Sequence, residues 1–124
     1  AELLRIWPRI RAAVPDAELH HCHAGVYDRL AEGDRPCAAT MRVIDDRSAA
    51  TSGVVALGSL SHAELAGAMS TSRVWAHPAY SAIHDAPFLE TFCIGAVEAQ
   101  AAGCHVVASA WGALPEVVRR RSFT

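Results

Sequence analysis

Apolar and polar positions follow one another along this chain in blocks whose period changes. Leu3, Leu4, Trp7 and Ile10 recur at helical spacing, and Val14 extends the stripe. Pro15-Asp16 ends that helix. "AELHHCHAG" predicts a short strand closed by Gly25, and residues 26–37 are polar and turn-rich. Residues 38–50, with Met41, Val43 and Ile44, predict a second helix. "GVVALG" is a compact apolar run between glycines, the pattern of a buried strand. Ser61-His62-Ala63-Glu64 has the spacing of a capping box, and Leu65 and Met69 supply the apolar stripe of a third helix. "RVWAHP" predicts a third strand, stopped by Pro78.

The next segment, "AYSAIHDAPFLE", is a loop long enough to suggest function rather than mere connection. A helix of small residues is predicted from Thr91 to Ala102, ending at Gly103. "CHVVAS" predicts a fourth strand, Trp111-Gly112 a turn, and Pro115 the first position of a last helix. Helix and strand therefore alternate strictly, which implies an α/β fold with a parallel sheet of about four strands covered by helices. Ligands of such folds bind at the carboxyl ends of the strands. Here these are the loops after Ala24, Leu57, His77 and Ser109.

Composition narrows this picture. A chain of 124 residues suits one domain, and 52% hydrophobic residues can build its core. All eleven basic residues are arginines, against thirteen acids, for a formal charge of -2. Arg119, Arg120 and Arg121 form the only basic run and read as a solvated helix end, where cations suit the helix dipole. No broad basic face accompanies them, so no nucleic-acid partner is expected. The apolar runs fall short of the roughly 20 residues that span a bilayer. No signal peptide is visible, although "AELLRIWPRI" begins inside a helical pattern and the N-terminus reads as cut. Cys22, Cys37, Cys93 and Cys104 form no C-x-x-C pair and read as reduced residues of a cytoplasmic protein.

Two glutamates, Glu90 and Glu98, interrupt the apolar stretch "LETFCIGAVEAQAAGC". Burying an unpaired carboxylate is costly, so each needs a partner or solvent. Eight helical positions leave about 80° of residual rotation, which puts the two acids two turns apart and off a common stripe. Thr91 is a candidate helix cap. The N–H groups of Phe92, Cys93 and Ile94 would then be free in the first turn, an anion site suited to phosphate. Gly95 leaves a smooth surface for close approach. A carboxylate beside it could accept paired hydrogen bonds from a vicinal diol such as a ribose. Periodicity alone leaves a second reading open, in which both glutamates are exposed and Ala96, Ala99, Ala101 and Ala102 are close helix packing.

At these residues the sequence resembles a known family. Glu-x7-Glu followed by "AQAAG", an apolar strand and "GALPEVV" is similar to the nucleotide-binding half of the retaining glycosyltransferases of family 4, the "group 1" transferases of GT-B fold. "LLRIWPRIRAAVPDAELH", "GVVALGSLSHAEL" and "SRVWAHPAY" resemble the corresponding elements in the same order. The resemblance covers nearly the whole chain. It implies a Rossmann-like, donor-binding domain, 1–124, one half of a two-domain enzyme, with the first strand of this half missing.

The roles it implies are these. Glu90 contacts the donor sugar near its reacting face and is the catalytic candidate. Glu98 binds the ribose hydroxyls. Thr91, Phe92, Cys93 and Ile94 form the helix start that faces the sugar and diphosphate. Gly58, Ser59 and Leu60 form the turn near the base, with His77 and Pro78 at the strand end beside it. Trp111 and Gly112 line the site where the family more often has two glycines, and Glu116 matches a frequent glutamate. The reaction implied is transfer of a hexose from a nucleoside diphosphate sugar to an acceptor hydroxyl with retention, without a metal or other cofactor. The acceptor, a saccharide, lipid or protein, would bind the absent N-terminal domain, and the whole protein could associate peripherally with a membrane. The arginine and lysine that such enzymes usually place on the diphosphate have no counterpart here, so the chain is expected to bind donor weakly and not to turn over alone.

Other readings compete. His20, His21, Cys22 and His23 invite a metal, but strand alternation sends His20 and Cys22 one way and His21 and His23 the other. Four tetrahedral ligands cannot converge from one such run, and two of them would need help from His62, His77, His84 or His105. No metal site is expected. A receiver-type α/β module needs a lysine, which the chain lacks. A non-catalytic nucleotide-binding or interaction module keeps the fold but leaves Glu-x7-Glu without a purpose.

Overall fold

In the computed structural model, residues 2–23, 36–78, 90–119 and 121–123 are described. The turn at Gly25, most of the polar stretch after it, and residues 79–89 of the long loop, His84 among them, lie outside the described residues. The elements are α1 (Glu2–Ala13), β1 (Leu19–His23), α2 (Pro36–Ala50), β2 (Val54–Ser59), α3 (His62–Thr71), β3 (Val74–His77), α4 (Ile94–Ala101), β4 (His105–Ala108), α5 (Leu114–Val117) and β5 (Arg121–Phe123). Every strand pair is parallel. The α/β architecture read from the alternation of elements is therefore the observed one. The strands are distributed over two sheets, β1-β2 and β3-β4-β5, rather than one. The chain divides into two compact units, Ala1–Ser61 and His62–Thr124, each with its own sheet.

In the first unit, the stripe of α1 buries Trp7, whose indole N–H donates to the Ser52 carbonyl at 3.0 Å. Arg11 donates to the Ala17 carbonyl at 2.6 Å and ties down the turn after the helix. Val14 does not extend the stripe. The helix stops at Ala13 and Val14 is exposed, because the turn into Pro15 rotates it off the buried face. Strand β1 pairs with β2 from Leu19↔Val54 to His23↔Ser59, with an irregularity that skips Leu57. Gly58 takes a φ of 67° there, a conformation that favours glycine. Gly58 and Ser59 are thus the last residues of β2, not a turn after it.

The second unit holds the larger core. Ala96 and Ala99 of α4 are fully buried and pack in one cluster with Val106 and Ala108 of β4, Met69 of α3, Cys104, Leu114 and Val118. Two alanines on the inner face let α4 lie close to the strand. Burying each larger side chain contributes about 1.5–3 kcal/mol, so Val106, Leu114 and Val118 carry most of this core. Helix α3 begins at His62, directly after Ser61, as the capping pattern predicts.

The C-terminal end differs from expectation. Helix α5 is only four residues long, and the arginine run is not a helix end. Val118 is extended and buried, with φ −82° and ψ 110°. The N–H of Arg119, which a further turn would have used, donates instead to Gln100 Oε1 at 2.7 Å. Burial of Val118 and capture of that N–H turn the chain out of the helix. Arg121 then opens β5 beside β4, from Val106↔Arg121 to Ala108↔Phe123.

Candidate functional site

Strand alternation places Trp75 and His77 on one face of β3, two residues apart. Their rings stack with centroids 5.1 Å apart and planes 10° from parallel. The Trp75 indole also lies against Gly95 in the first turn of α4, where a Cβ would sit 3.2 Å from its Cζ2. The smooth surface expected at Gly95 is therefore covered by a side chain of the protein itself. His77 closes the strand, and its Nε2 is buried without a hydrogen-bond partner.

Glu90 faces this histidine. Its side chain is only 15% exposed, so the reading in which both acids are solvated does not hold for it. Oε2 lies 3.7 Å from His77 Nε2. Oε1 accepts the N–H of Cys93 at 3.0 Å and, more weakly, that of Phe92 at 3.5 Å. Its carbonyl accepts the N–H of Ala113 at 2.8 Å. Gly112 is required beside it: φ is 58°, and a Cβ would lie 2.2 Å from the Glu90 carbonyl oxygen. The turn that carries Trp111 and Gly112 is laid directly on the Glu90 backbone, which supplies a reason for glycine at the second of these positions.

The helix does not start where the sequence suggested. Cys93 is in the left-handed region, φ 61° and ψ 73°, and α4 begins after it at Ile94. Thr91 is exposed and precedes the helix by three residues, so it is not the cap. No side chain caps the helix; the Glu90 carboxylate instead holds the two N–H groups that lead into it. The amides of Phe92 and Cys93, expected to be free for phosphate, are engaged by this carboxylate. Glu90 also stands outside the helix, so helical rotation does not relate it to Glu98. Burial raises the pKa of the half-buried Cys93 thiol; an Ala96 backbone hydrogen bond opposes this and the Glu90 charge adds to it.

The remaining predicted residues of the second unit are mostly exposed. Glu98 is exposed on α4, and among the described residues only its backbone is tied down, through the Ala102 N–H at 2.9 Å. Phe92 and Ile94 are exposed, as is Pro78. Glu116 is exposed in α5. Gly58 and Ser59 end β2 and Leu60 follows it, all in the first unit. His77, Glu90, Cys93 and Gly112 are brought together. A shallow open concavity lined by Val97, Gln100, Ala101, Gly103, Val117 and Arg119 contains none of them.

Two contributors escaped the sequence reading. Trp75 orients His77, and the period-two spacing of a strand was the signal for it. Gln100 donates to the carbonyls of Ala96 and Val117 at 2.9 and 3.2 Å and accepts from Arg119; a lone glutamine on a helix gives no such signal. Among the described residues, the histidine-rich strand contributes to no cluster of metal-capable side chains. His20 Nε2 meets Glu18 at 3.1 Å on the surface, and Cys22 is exposed. Among the described residues, the group of three metal-capable side chains that does converge is His77, Glu90 and Cys93.

A family model described as "Glycosyl transferases group 1" matches residues 1–122. No curated protein matches the chain. Among the described residues, no helix is long and apolar enough to cross a membrane.

Proposed function

The chain belongs to the group 1 glycosyl transferases, and on that premise we propose that it is the donor-binding part of a retaining enzyme of GT-B fold. It would transfer a hexose from a nucleoside diphosphate sugar to an acceptor hydroxyl, with no resident metal in the reaction. Glu90 stands at the sugar end, Glu98 takes the ribose hydroxyls, and the segment Thr91 to Ile94 faces the diphosphate. His77, Pro78, Trp111 and Gly112 line the same site. The assignment of Gly58, Ser59 and Leu60 to the base rests on the resemblance alone.

The observation that carries this reading is how firmly Glu90 is held. Its carboxylate, its carbonyl and the glycine turn against it are all fixed at the carboxyl end of β3. A carboxylate oriented before ligand arrives can act electrostatically on a developing positive charge at the reacting carbon without reorganisation. Retention by hydrolases uses two carboxylates about 5 Å apart across one bond. Glu98, exposed and five residues into α4, is not such a partner, which favours transfer supported by binding groups.

Calorimetry with a panel of uridine and guanosine diphosphate sugars tests the assignment. Glu98→Ala removes two charge-assisted hydrogen bonds to a ribose and should weaken nucleotide binding by about 10- to 100-fold. Equal affinity in wild type and Glu98→Ala would sink the ribose role. Glu90→Gln should shift the preference among sugars on one nucleotide more than it shifts affinity for the nucleotide alone.

A further inference from the structure

We propose that His77, Glu90 and Cys93 form a binding site for a thiophilic divalent cation of the zinc class, and that such a cation inhibits the protein by occupying the sugar end of its site. The three residues offer one nitrogen, one oxygen and one sulfur, and these atoms all lie within 4.8 Å of one another. A tetrahedral zinc with bonds of about 2.0–2.3 Å sets its ligand atoms roughly 3.3–3.8 Å apart. His77 Nε2 and Glu90 Oε2 are already at 3.7 Å. The sulfur lies within 4.8 Å of both, so a contraction of up to about 1 Å completes the set.

The nitrogen and the oxygen are spare and face each other, and the sulfur shares one backbone hydrogen bond with Ala96. His77 Nε2 is buried and unpartnered, a state that calls for an explanation in a folded protein. The ring behind it is fixed by stacking on Trp75. Glu90 spends Oε1 on the two backbone N–H groups, which leaves Oε2 toward the histidine. Cys93 is a free thiol on a left-handed residue, and that backbone conformation carries its side chain into the group. Supporting contacts of this kind orient the ligands of metal sites.

The chemistry selects the ion. Sulfur and imidazole donors suit zinc and disfavour magnesium or calcium, which require oxygen. Neutral His77, the Glu90 carboxylate and the Cys93 thiolate together carry the charge of a divalent cation with opposite sign. Binding releases the thiol proton to solvent. Three protein ligands leave a fourth position open. The cation site rests on these contacts alone; the inhibition rests on the donor-site reading of Glu90.

The test uses the 124-residue chain with metal ions alone. Cobalt(II) should bind one to one, giving tetrahedral visible bands and a thiolate-to-cobalt charge-transfer band. Cys93→Ala should abolish the charge-transfer band, and Cys22→Ala should leave it intact. Zinc affinity, measured by competition with a chromophoric chelator, should fall roughly 100-fold or more in His77→Ala and in Cys93→Ala. Far-ultraviolet circular dichroism checks that the variants fold, and the Cys22→Ala comparison decides even if they do not. Absence of the charge-transfer band in wild type, or its loss in Cys22→Ala, overturns the site. Zinc should also weaken nucleotide-sugar binding. Tight zinc binding at the triad with unchanged sugar-nucleotide affinity overturns the inhibition while leaving the cation site standing. A failed cobalt titration beside a clear Glu98→Ala effect overturns the cation site and leaves the donor reading intact.

Discussion

At the scale of single residues, the site is held by contacts that residue type alone does not announce. Gly112 is the sharpest case. Alanine there must adopt a φ of 58° and place its Cβ 2.2 Å from the Glu90 carbonyl oxygen. The left-handed conformation and the overpacking together should lower stability by about 2–4 kcal/mol, read from the midpoint of urea unfolding. Glu90→Ala should cost about 1 kcal/mol, since the Cys93 N–H loses its partner at 3.0 Å, whereas Glu90→Gln keeps an accepting oxygen and should cost less. A thermal melt of the two variants separates the hydrogen bond from the charge. Glu90 itself was legible in the sequence, because an acid eight residues before a second in an apolar run demands a reason. Its hold on the amides of Phe92 and Cys93 was not. Thr91 is the more usual capping residue, and nothing in a cysteine's identity predicts a positive φ at position 93.

At the scale of elements, helix and strand were legible wherever an apolar run was long enough to show its period. Strands β2, β3 and β4 and helix α3 fall where the pattern puts them. The short pieces were not. β5 is three residues, too few to display alternation, and the arginines that open it suggested a helix end. The element that decides this region is the side chain of Gln100, which joins α4 to the α5–β5 connection through Val117 and Arg119. Gln100→Ala removes both long-range bonds and should destabilise by about 1–3 kcal/mol. Hydrogen exchange of the β5 amides should accelerate in that variant more than exchange in β3. Unchanged protection of β5 would show that strand pairing holds the segment without the glutamine.

At the scale of the whole molecule, two units each built on parallel strands share one titration behaviour. Desolvation raises the pKa of Cys22, Cys93 and Cys104 above the ordinary thiol value of 9.0; solvent screens the effect at exposed Cys22, so Cys93 and Cys104 carry its weight in stability. Groups whose pKa is raised by folding stabilise fully below the unfolded value and lose that contribution as pH climbs through the folded one. Stability should therefore be flat in this respect until the pH nears the ordinary thiol value of 9.0, and decline above it. Cys104 is the most enclosed of the three, with Sγ 3.2 Å from the Met69 carbonyl. Cys104→Ala should reduce the alkaline slope of stability relative to wild type, and equal slopes would remove Cys104 as a cause. The parallel architecture was legible from strict alternation of elements. Its partition into two sheets was not, since pairing between strands is a property of distance along the fold that periodicity does not carry.

The hold of Glu90 on its neighbouring amides also sets a thermodynamic condition on any ligand. The chain supplies its own anion to the N–H groups of Phe92 and Cys93, an intramolecular competitor present at high effective concentration. A simple phosphate gains those amides only by evicting a negative charge and leaving it unsatisfied. A ligand that brings hydroxyls to the evicted carboxylate returns what it displaces. Selectivity for a sugar-bearing diphosphate over pyrophosphate then arises from exchange of partners rather than from added contacts. Glu90→Ala should accordingly bind inorganic pyrophosphate more tightly than wild type, measured by calorimetry, and weaker binding in the variant would show that the carboxylate is no competitor.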